Sequence, residues 1–257
     1  MDKSNLAERM KTYYENITKT KLMRRVPVAI RLDGKAFHTF TRWFKKPFDD
    51  LFITSMQQTM QYLCENIQGC VFGYTQSDEI TLILIDYQNL NSAAWFDYQV
   101  QKICSISASM ATMAFNNFFR ENISIFASGV QYNRYTAAIN QGALFDARCF
   151  NIPKEEVTNY FYWRQLDAIR NSIQMIGQAN FSHNILQYKT CEDIKDMLYV
   201  KNEIVWELLP IHKQRGSCCI KQECTYGDTL RKQWVIENEI PVFKDEGRDY
   251  IEVLVNY

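Results

Sequence analysis

No run of apolar residues in this 257-residue chain approaches the roughly 18 needed to cross a membrane as a helix. The longest runs are strand-sized. The opening stretch, MDKSNLAERMKTYYENITKT, lacks an apolar core and does not read as a signal peptide. Net charge is also missing: 29 Lys and Arg balance 29 Asp and Glu. No global field therefore draws the chain to nucleic acid, and an RNA partner would need a local basic patch. The eight cysteines form no CxxC pair, which suits reduced thiols in the cytoplasm better than a disulfide framework. His212 with Cys218, Cys219 and Cys224 is the densest group of soft ligands, but its spacing fits no usual zinc pair. There is no internal repeat, low-complexity tract or Gly/Ser linker. The expectation is a cytoplasmic protein without a membrane partner.

What is present is ordinary for a globular chain, with 47% hydrophobic and 14% aromatic residues. Residues 26–32 (VPVAIRL) alternate as a strand and close on Asp33-Gly34. In KPFDD, Pro47 with Asp49 or Asp50 marks a helix start. Phe52, Met56, Met60, Leu63 and Ile67 then recur at helical spacing. Strands are predicted at 70–76 and 79–86, joined through Ser77-Asp78. A long helix is predicted from Trp95 to Phe119, with Phe96, Val100, Ile103, Ile106, Met110, Met113 and Ala114 as one stripe. A further strand fits Gly142–Phe150.

The order strand, helix, strand, strand, helix, strand predicts an α+β fold of the ferredoxin-like βαββαβ type, with both helices on one face. Beyond Pro153, Glu155–Ile176 and Cys191–Leu209 read as helices. Residues 216–257, with Gly227 and Gly247, alternate weakly, as short strands or hairpins do. The chain thus divides softly into a catalytic region, 1–150, and a helical extension with short C-terminal strands, 151–257, expected to pack as one unit.

Two strands end in acids: AIRLDGKAFH around Asp33 and YTQSDEITLI around Asp78 and Glu79. In a ferredoxin-like sheet the first and third strands are central neighbours, so Asp33 and Asp78 should meet at one sheet edge. Either turn alone is a common structural turn. Together, with the Gly34 carbonyl, they form an oxygen-rich site for Mg²⁺, and two such ions suit phosphoryl transfer.

These motifs, with KKPFDD between them and FDARCF later, resemble the tRNA-His guanylyltransferase family and its guanylyltransferase-like relatives. The family's fold is a polymerase-type palm. The resemblance implies two Mg²⁺ on Asp33, Gly34 and Asp78, with Glu79 as an acidic neighbour and His38 and Lys46 acting in nucleotide transfer. It implies a nucleotide site at Gly34, Lys35, Ala36, Phe37, His38, Ser77, Lys102 and Arg148. Lys201 and Asn202 in VKNEI and Arg215 in KQRGS are possible RNA contacts.

Departures point within the family. Trp163-Arg164-Gln165 and Asp167 are present, but the family's HINNLYN continuation is replaced by AIRNSIQMIGQ. Gln99 stands where an arginine is expected, and Ala147 replaces a glycine. The missing HINNLYN is typical of the branch that repairs truncated tRNA 5′ ends. The implied reaction activates a tRNA 5′-monophosphate with ATP, and the 3′-hydroxyl of a templated NTP then attacks it; ATP and GTP are substrates. A homotetramer is also implied, and Tyr160, Phe161 and Trp163 suit either a subunit contact or the core. Alternatives are dedicated guanylyl addition to tRNA-His, a palm-type nucleotidyl or cyclase enzyme without RNA, and a catalytically silent RNA-binding protein.

Overall fold

The computed structural model describes residues 3–226 and 229–256. Helix α1 (Lys3–Met10) continues as a wider turn to Glu15 ahead of the sheet. Strand β1 (Val28–Gly34) alternates as its sequence requires. It buries Val28, Ile30 and Leu32 on one face and Ala29 on the other. A four-residue helix, α2 (Phe37–Phe40), and a loop lead into α3 (Asp50–Asn66). The carboxylate of Asp49 caps α3 by accepting from the Phe52 amide at 3.0 Å. Strands β2 (Cys70–Gln76) and β3 (Glu79–Leu84) form a hairpin closed by Ser77 and Asp78.

The next helix, α4, spans Val100–Phe126, and the expected start at Trp95 is corrected. Phe96, Asp97 and Tyr98 all take positive φ near +50°, a left-handed turn that no right-handed helix can include. The buried stripe is corrected too. Ile103, Ser107, Ala111, Phe115 and Phe119 face the sheet, whereas Ile106 and Met113 are 40% and 49% exposed. Small residues at 107 and 111 let the helix sit close to the strands. Helix α5 (Gly129–Gln141), unread in the sequence, precedes β4 (Phe145–Asn151). It buries only Tyr135 and Ile139, too sparse a pattern to register as a period.

Six strands form one antiparallel sheet in the order β4-β1-β3-β2-β5-β6. The first four follow the ferredoxin-like order, so the predicted class is correct. Strands β5 (Ser217–Tyr226) and β6 (Thr229–Glu237) extend that sheet at the β2 edge, with Cys218 opposite Tyr74. Gly227, a turn signal in the sequence, lies outside the described residues. Between β4 and β5 run α6 (Lys154–Asn180), α7 (His183–Leu186), α8 (Cys191–Asn202) and α9 (Ile211–Arg215). Glu203, with φ of 54°, ends α8 short of the expected Leu209. The described chain closes with α10 (Asp249–Val255).

Helices α3 and α4 pack on one sheet face around Phe37, Met60, Phe115 and Phe119. The other face is covered by α6 and α10, through Phe161 and Ile251 against Phe72 and Tyr74. Ile173 and Ile176, toward the end of α6, form a smaller cluster with Ile194 and Leu198 of α8.

Candidate active site

The register of β1 against β3 sets Asp33 directly opposite Glu79, one residue from Asp78. The Gly34 amide donates to the Asp78 carbonyl at 3.1 Å, which ties the two acidic turns together. Each turn holds a non-glycine residue in the left-handed region, Ala36 at φ 55° and Ser77 at φ 51°. Such conformations are strained and persist where surrounding structure enforces them, which is a mark of functional sites. At Gly34 an added Cβ would lie 2.3 Å from the Phe37 ring, so that position takes no side chain.

A cavity of about 450 Å³ opens at this edge. It is lined by Asp33, Gly34, Ala36, Phe37, His38, Lys46, Ser77 and Asp78 among the residues expected from sequence. The loop residues Thr41, Phe44, Lys45 and Pro47 line it too, as do Asp49, Phe52 and Met175, none of them expected as site residues. Asp49 is buried and accepts from the Lys45 amide at 2.8 Å and the Tyr135 hydroxyl at 2.5 Å. Its helix-start signal was legible, but nothing local showed that the capped turn would line the cavity.

Burial raises the Asp78 carboxyl above its ordinary value, and the Asp33 charge adds to the rise. Asp78 makes no ion pair among the described residues; the Ser77 hydroxyl donates to it at 3.1 Å. Two adjoining carboxylates whose nearest guanidinium, Arg31, reaches only to 3.9 Å from Asp33 suit a hard divalent cation that completes its shell with water and phosphate. No cluster of three His, Cys, Asp or Glu side chains competes for that role among the described residues.

Glu79 has a different place from the one expected. It is buried, and its carboxylate accepts from both Nε and Nη2 of Arg164, at 2.8 and 2.7 Å. Arg31 Nη2 lies 2.7 Å away from the same carboxylate. Burial pushes the Glu79 carboxyl up and the two guanidiniums oppose the rise. Its oxygens are taken by the two guanidiniums, and Glu79 is not among the residues that line the cavity. Arg31 also reaches to 3.9 Å from Asp33, and Arg164 to 3.0 Å from Asp167, so a charged chain runs from α6 to the site. Arg31 was unread although its spacing two residues before Asp33 puts both on one face. Arg164 was visible in the WRQ-x-D motif without a role.

Six further expected residues take other places. Lys102 lies ten residues before Thr112, whose hydroxyl accepts from Phe145 at the site end of β4; at 1.5 Å rise this is about 15 Å of helix. Its ammonium sits 5.8 Å from the Phe96 ring, away from the cavity. Arg148 stands opposite Arg31, one row behind Asp33, and pairs with Asp146 at 3.6 Å. The Arg215 guanidinium is spent on the Ile240 carbonyl at 2.9 and 3.1 Å. Lys201 donates to the Asn180 carbonyl and Asn202 to the Asn180 side chain, fastening α8 to α6. Lys35 is exposed beside the cavity; its amide donates to the Leu144 carbonyl at 2.8 Å, and its side chain does not line the wall.

A palm-type sheet with paired carboxylates at the ends of two neighbouring strands suits phosphoryl transfer, and the chain is a nucleotidyltransferase. A family profile described as Thg1, tRNAHis guanylyltransferase, matches residues 7–153. The chain belongs to this tRNA-His guanylyltransferase family. An uncharacterised protein of Acanthamoeba polyphaga mimivirus is 31% identical over 83% of this chain and 76% of its own length. A probable tRNA(His) guanylyltransferase of Dictyostelium discoideum is 25% identical over 91% of this chain and 93% of its own. The solved structure of a bacterial tRNA(His) guanylyltransferase (Thg1)-like protein in complex with ATP superposes with a TM-score of 0.84. It is 38% identical and covers 98% of this chain and 99% of its own. A complex of a Thg1-like protein with GTP superposes at 0.82, also at 38% identity, over 98% of this chain and 100% of its own.

Proposed function

We propose that this chain adds nucleotides to the 5′ end of tRNA in the 3′–5′ direction, restoring incomplete 5′ ends against the opposite strand. The observation that carries the reading is the cavity at which Asp33 and Asp78 meet, with their turns joined through the Gly34 amide. In the activation step an oxygen of the tRNA 5′-monophosphate attacks the α-phosphorus of ATP, and pyrophosphate leaves. In the addition step the 3′-hydroxyl of the incoming NTP attacks the activated 5′ phosphorus, and AMP leaves. Both are phosphoryl transfers, which need positioning and charge neutralisation but no covalent protein nucleophile.

Asp33, Asp78 and the Gly34 carbonyl would hold two Mg²⁺, which when bound supply charge neutralisation at the phosphates. Lys46 and His38 are exposed at the cavity wall, where they meet phosphate oxygens as donors. Lys35 lies beside it as a further cation, and Arg148 stands one row behind Asp33. Phe37 and Ala36 wall the nucleotide, and Glu79 fixes Arg31 behind Asp33. The named Thg1-like complexes with ATP and GTP support a site that accepts both nucleotides. The repair specificity rests on the absent HINNLYN stretch. The reading includes a cytoplasmic location, consistent with no described helix being long and apolar enough to cross a membrane. It also includes a homotetramer: Phe161 is core, but Trp163 and Leu166 on α6 are 54% and 46% exposed and leave an apolar face.

The test is a tRNA that lacks its first nucleotide and carries a 5′-monophosphate, incubated with Mg²⁺, ATP and labelled NTPs. Addition of only the nucleotide that restores pairing is expected. Asp78→Ala should reduce it by roughly three orders of magnitude while leaving tRNA binding in place. Guanylate added regardless of the opposing base would point to dedicated tRNA-His modification, and ATP turnover indifferent to tRNA would overturn the RNA reading.

A further inference from the structure

The loop between α2 and α3 has two sides. Thr41, Lys45 and Lys46 face the catalytic cavity, and Arg42 and Trp43 face a second one, of about 540 Å³. Phe44 lines both. The far wall of the second cavity is α5, through Asn133 and Arg134. The Gln131 side chain on α5 donates to the Trp43 carbonyl at 3.2 Å, which anchors the loop to that wall.

Trp43 is 59% exposed, although a tryptophan without a ligand is usually covered. The guanidinium carbons of Arg42 and Arg134 lie 5.0 and 5.9 Å from its ring centroid. Neither guanidinium makes an ion pair or hydrogen bond among the described residues, and no carboxylate lines the cavity. A flat exposed indole with two uncompensated guanidiniums offers stacking and positive charge at one place. Those are the two things a nucleotide unit of single-stranded RNA presents partners for, its base and its phosphate.

We propose that this second cavity binds an unpaired nucleotide of the substrate RNA, in the single-stranded 3′ end that runs on past the templating base. The inference rests on the reading of the chain as a templated 5′-end nucleotidyltransferase. When an incoming nucleotide pairs with the opposite strand at Asp33 and Asp78, the rest of that strand must leave the catalytic cavity unpaired. The cavity across Phe44 adjoins it and carries two guanidiniums with no acid in its lining. Its volume falls in the range of roughly 300–1,000 Å³ typical of small-ligand sites.

The experiment measures binding by fluorescence anisotropy, without turnover. Two RNA hairpins with the same duplex and 5′-monophosphate are compared, one with a short unpaired 3′ overhang and one blunt. The wild-type protein should bind the overhang hairpin about tenfold tighter, in line with one stacked base. Trp43→Ala and Arg134→Gln, on opposite walls, should each lose most of that factor and leave blunt-hairpin affinity unchanged. Thermal melts of both variants confirm folding, and Trp43→Phe should retain the preference. Equal wild-type affinity for the two hairpins would overturn the proposal, as would variants that weaken both equally. Weaker ATP binding by Trp43→Ala with the overhang preference intact would assign the cavity to a free nucleotide and also overturn it. Overhang preference without nucleotide addition would sustain this inference while sinking the proposed function; addition without the preference would do the reverse.

Discussion

The two faces of the sheet put the same strands to different uses. Toward α3 and α4 the site end is filled by rings: Phe37, Phe40, Phe44, Phe115 and Phe119 meet at centroid distances between 5.2 and 5.8 Å. Toward α6 the same end carries Arg31, Glu79 and Arg164 in direct ionic contact. The aromatic face needs volume in low-energy packing, and many arrangements of similar volume satisfy it. The charged face needs each partner, because a guanidinium or carboxylate left alone at that depth is strongly unfavourable. Stability and positioning are thus drawn from opposite sides of one sheet.

The largest blow to this contrast should come from Phe115→Ala, which removes a fully buried ring from the aromatic face. A loss of roughly 4 kcal/mol in denaturant unfolding is expected, with the NTP KM of the remaining folded enzyme unchanged. If KM rises sharply, the aromatic face also positions the site and the division is too simple. Next, Arg164→Ala should cost about 3 kcal/mol by leaving the buried Glu79 with Arg31 as its one remaining ionic partner among the described residues, and should lower kcat even where the protein is folded. An intact kcat at full occupancy of the native state would reduce the charged chain to a stability device.

The smallest effect sharpens the comparison most. The Asp78 carboxyl is raised in the folded state, so it binds its proton more tightly folded than unfolded. Its ionisation therefore destabilises the fold above its folded-state pKa, and the penalty fades as pH falls toward the unfolded value near 3.8. Asp78→Asn should gain on the order of 1 kcal/mol at pH 7, nothing below about pH 4, and be inactive at both. Urea melts at the two pH values read this directly, and an equal gain at both would show that the charge at 78 is not the cause.

Much of this was legible in one dimension because the central pattern is local. VPVAIRL and the hydrophobic hairpin partners fix two strands by alternation, and a single topological rule then brings Asp33 to Asp78. The rest failed where the signal is not local. α5 buries two residues and shows no period, yet it supplies Tyr135 to Asp49. Glu79 sits beside Asp78 in sequence and was grouped with it, but alternation places its side chain under α6, where only the three-dimensional packing reveals Arg164. Lys102 has a helical address that alone cannot tell which end of a 27-residue helix lies at the site. Arg215, Lys201 and Asn202 look like phosphate ligands by residue type, and only their neighbours' carbonyls show them to be fasteners.

The register has one more consequence. Asp146, Asp33 and Glu79 occupy one row across β4, β1 and β3, and Arg148 and Arg31 occupy the row behind it. Acid beside acid is unfavourable across strands, and each row is tolerable because of the other. Descent through this face is therefore constrained to move in blocks. A change at Arg31 alters the setting of Asp33 and Glu79 at once, so the effects of single substitutions here do not add. Ala147, opposite Leu32 on the other face, stands outside that coupling and can be exchanged alone. Divergence in this enzyme should accumulate one residue at a time on the ring-filled side and in linked sets on the charged one.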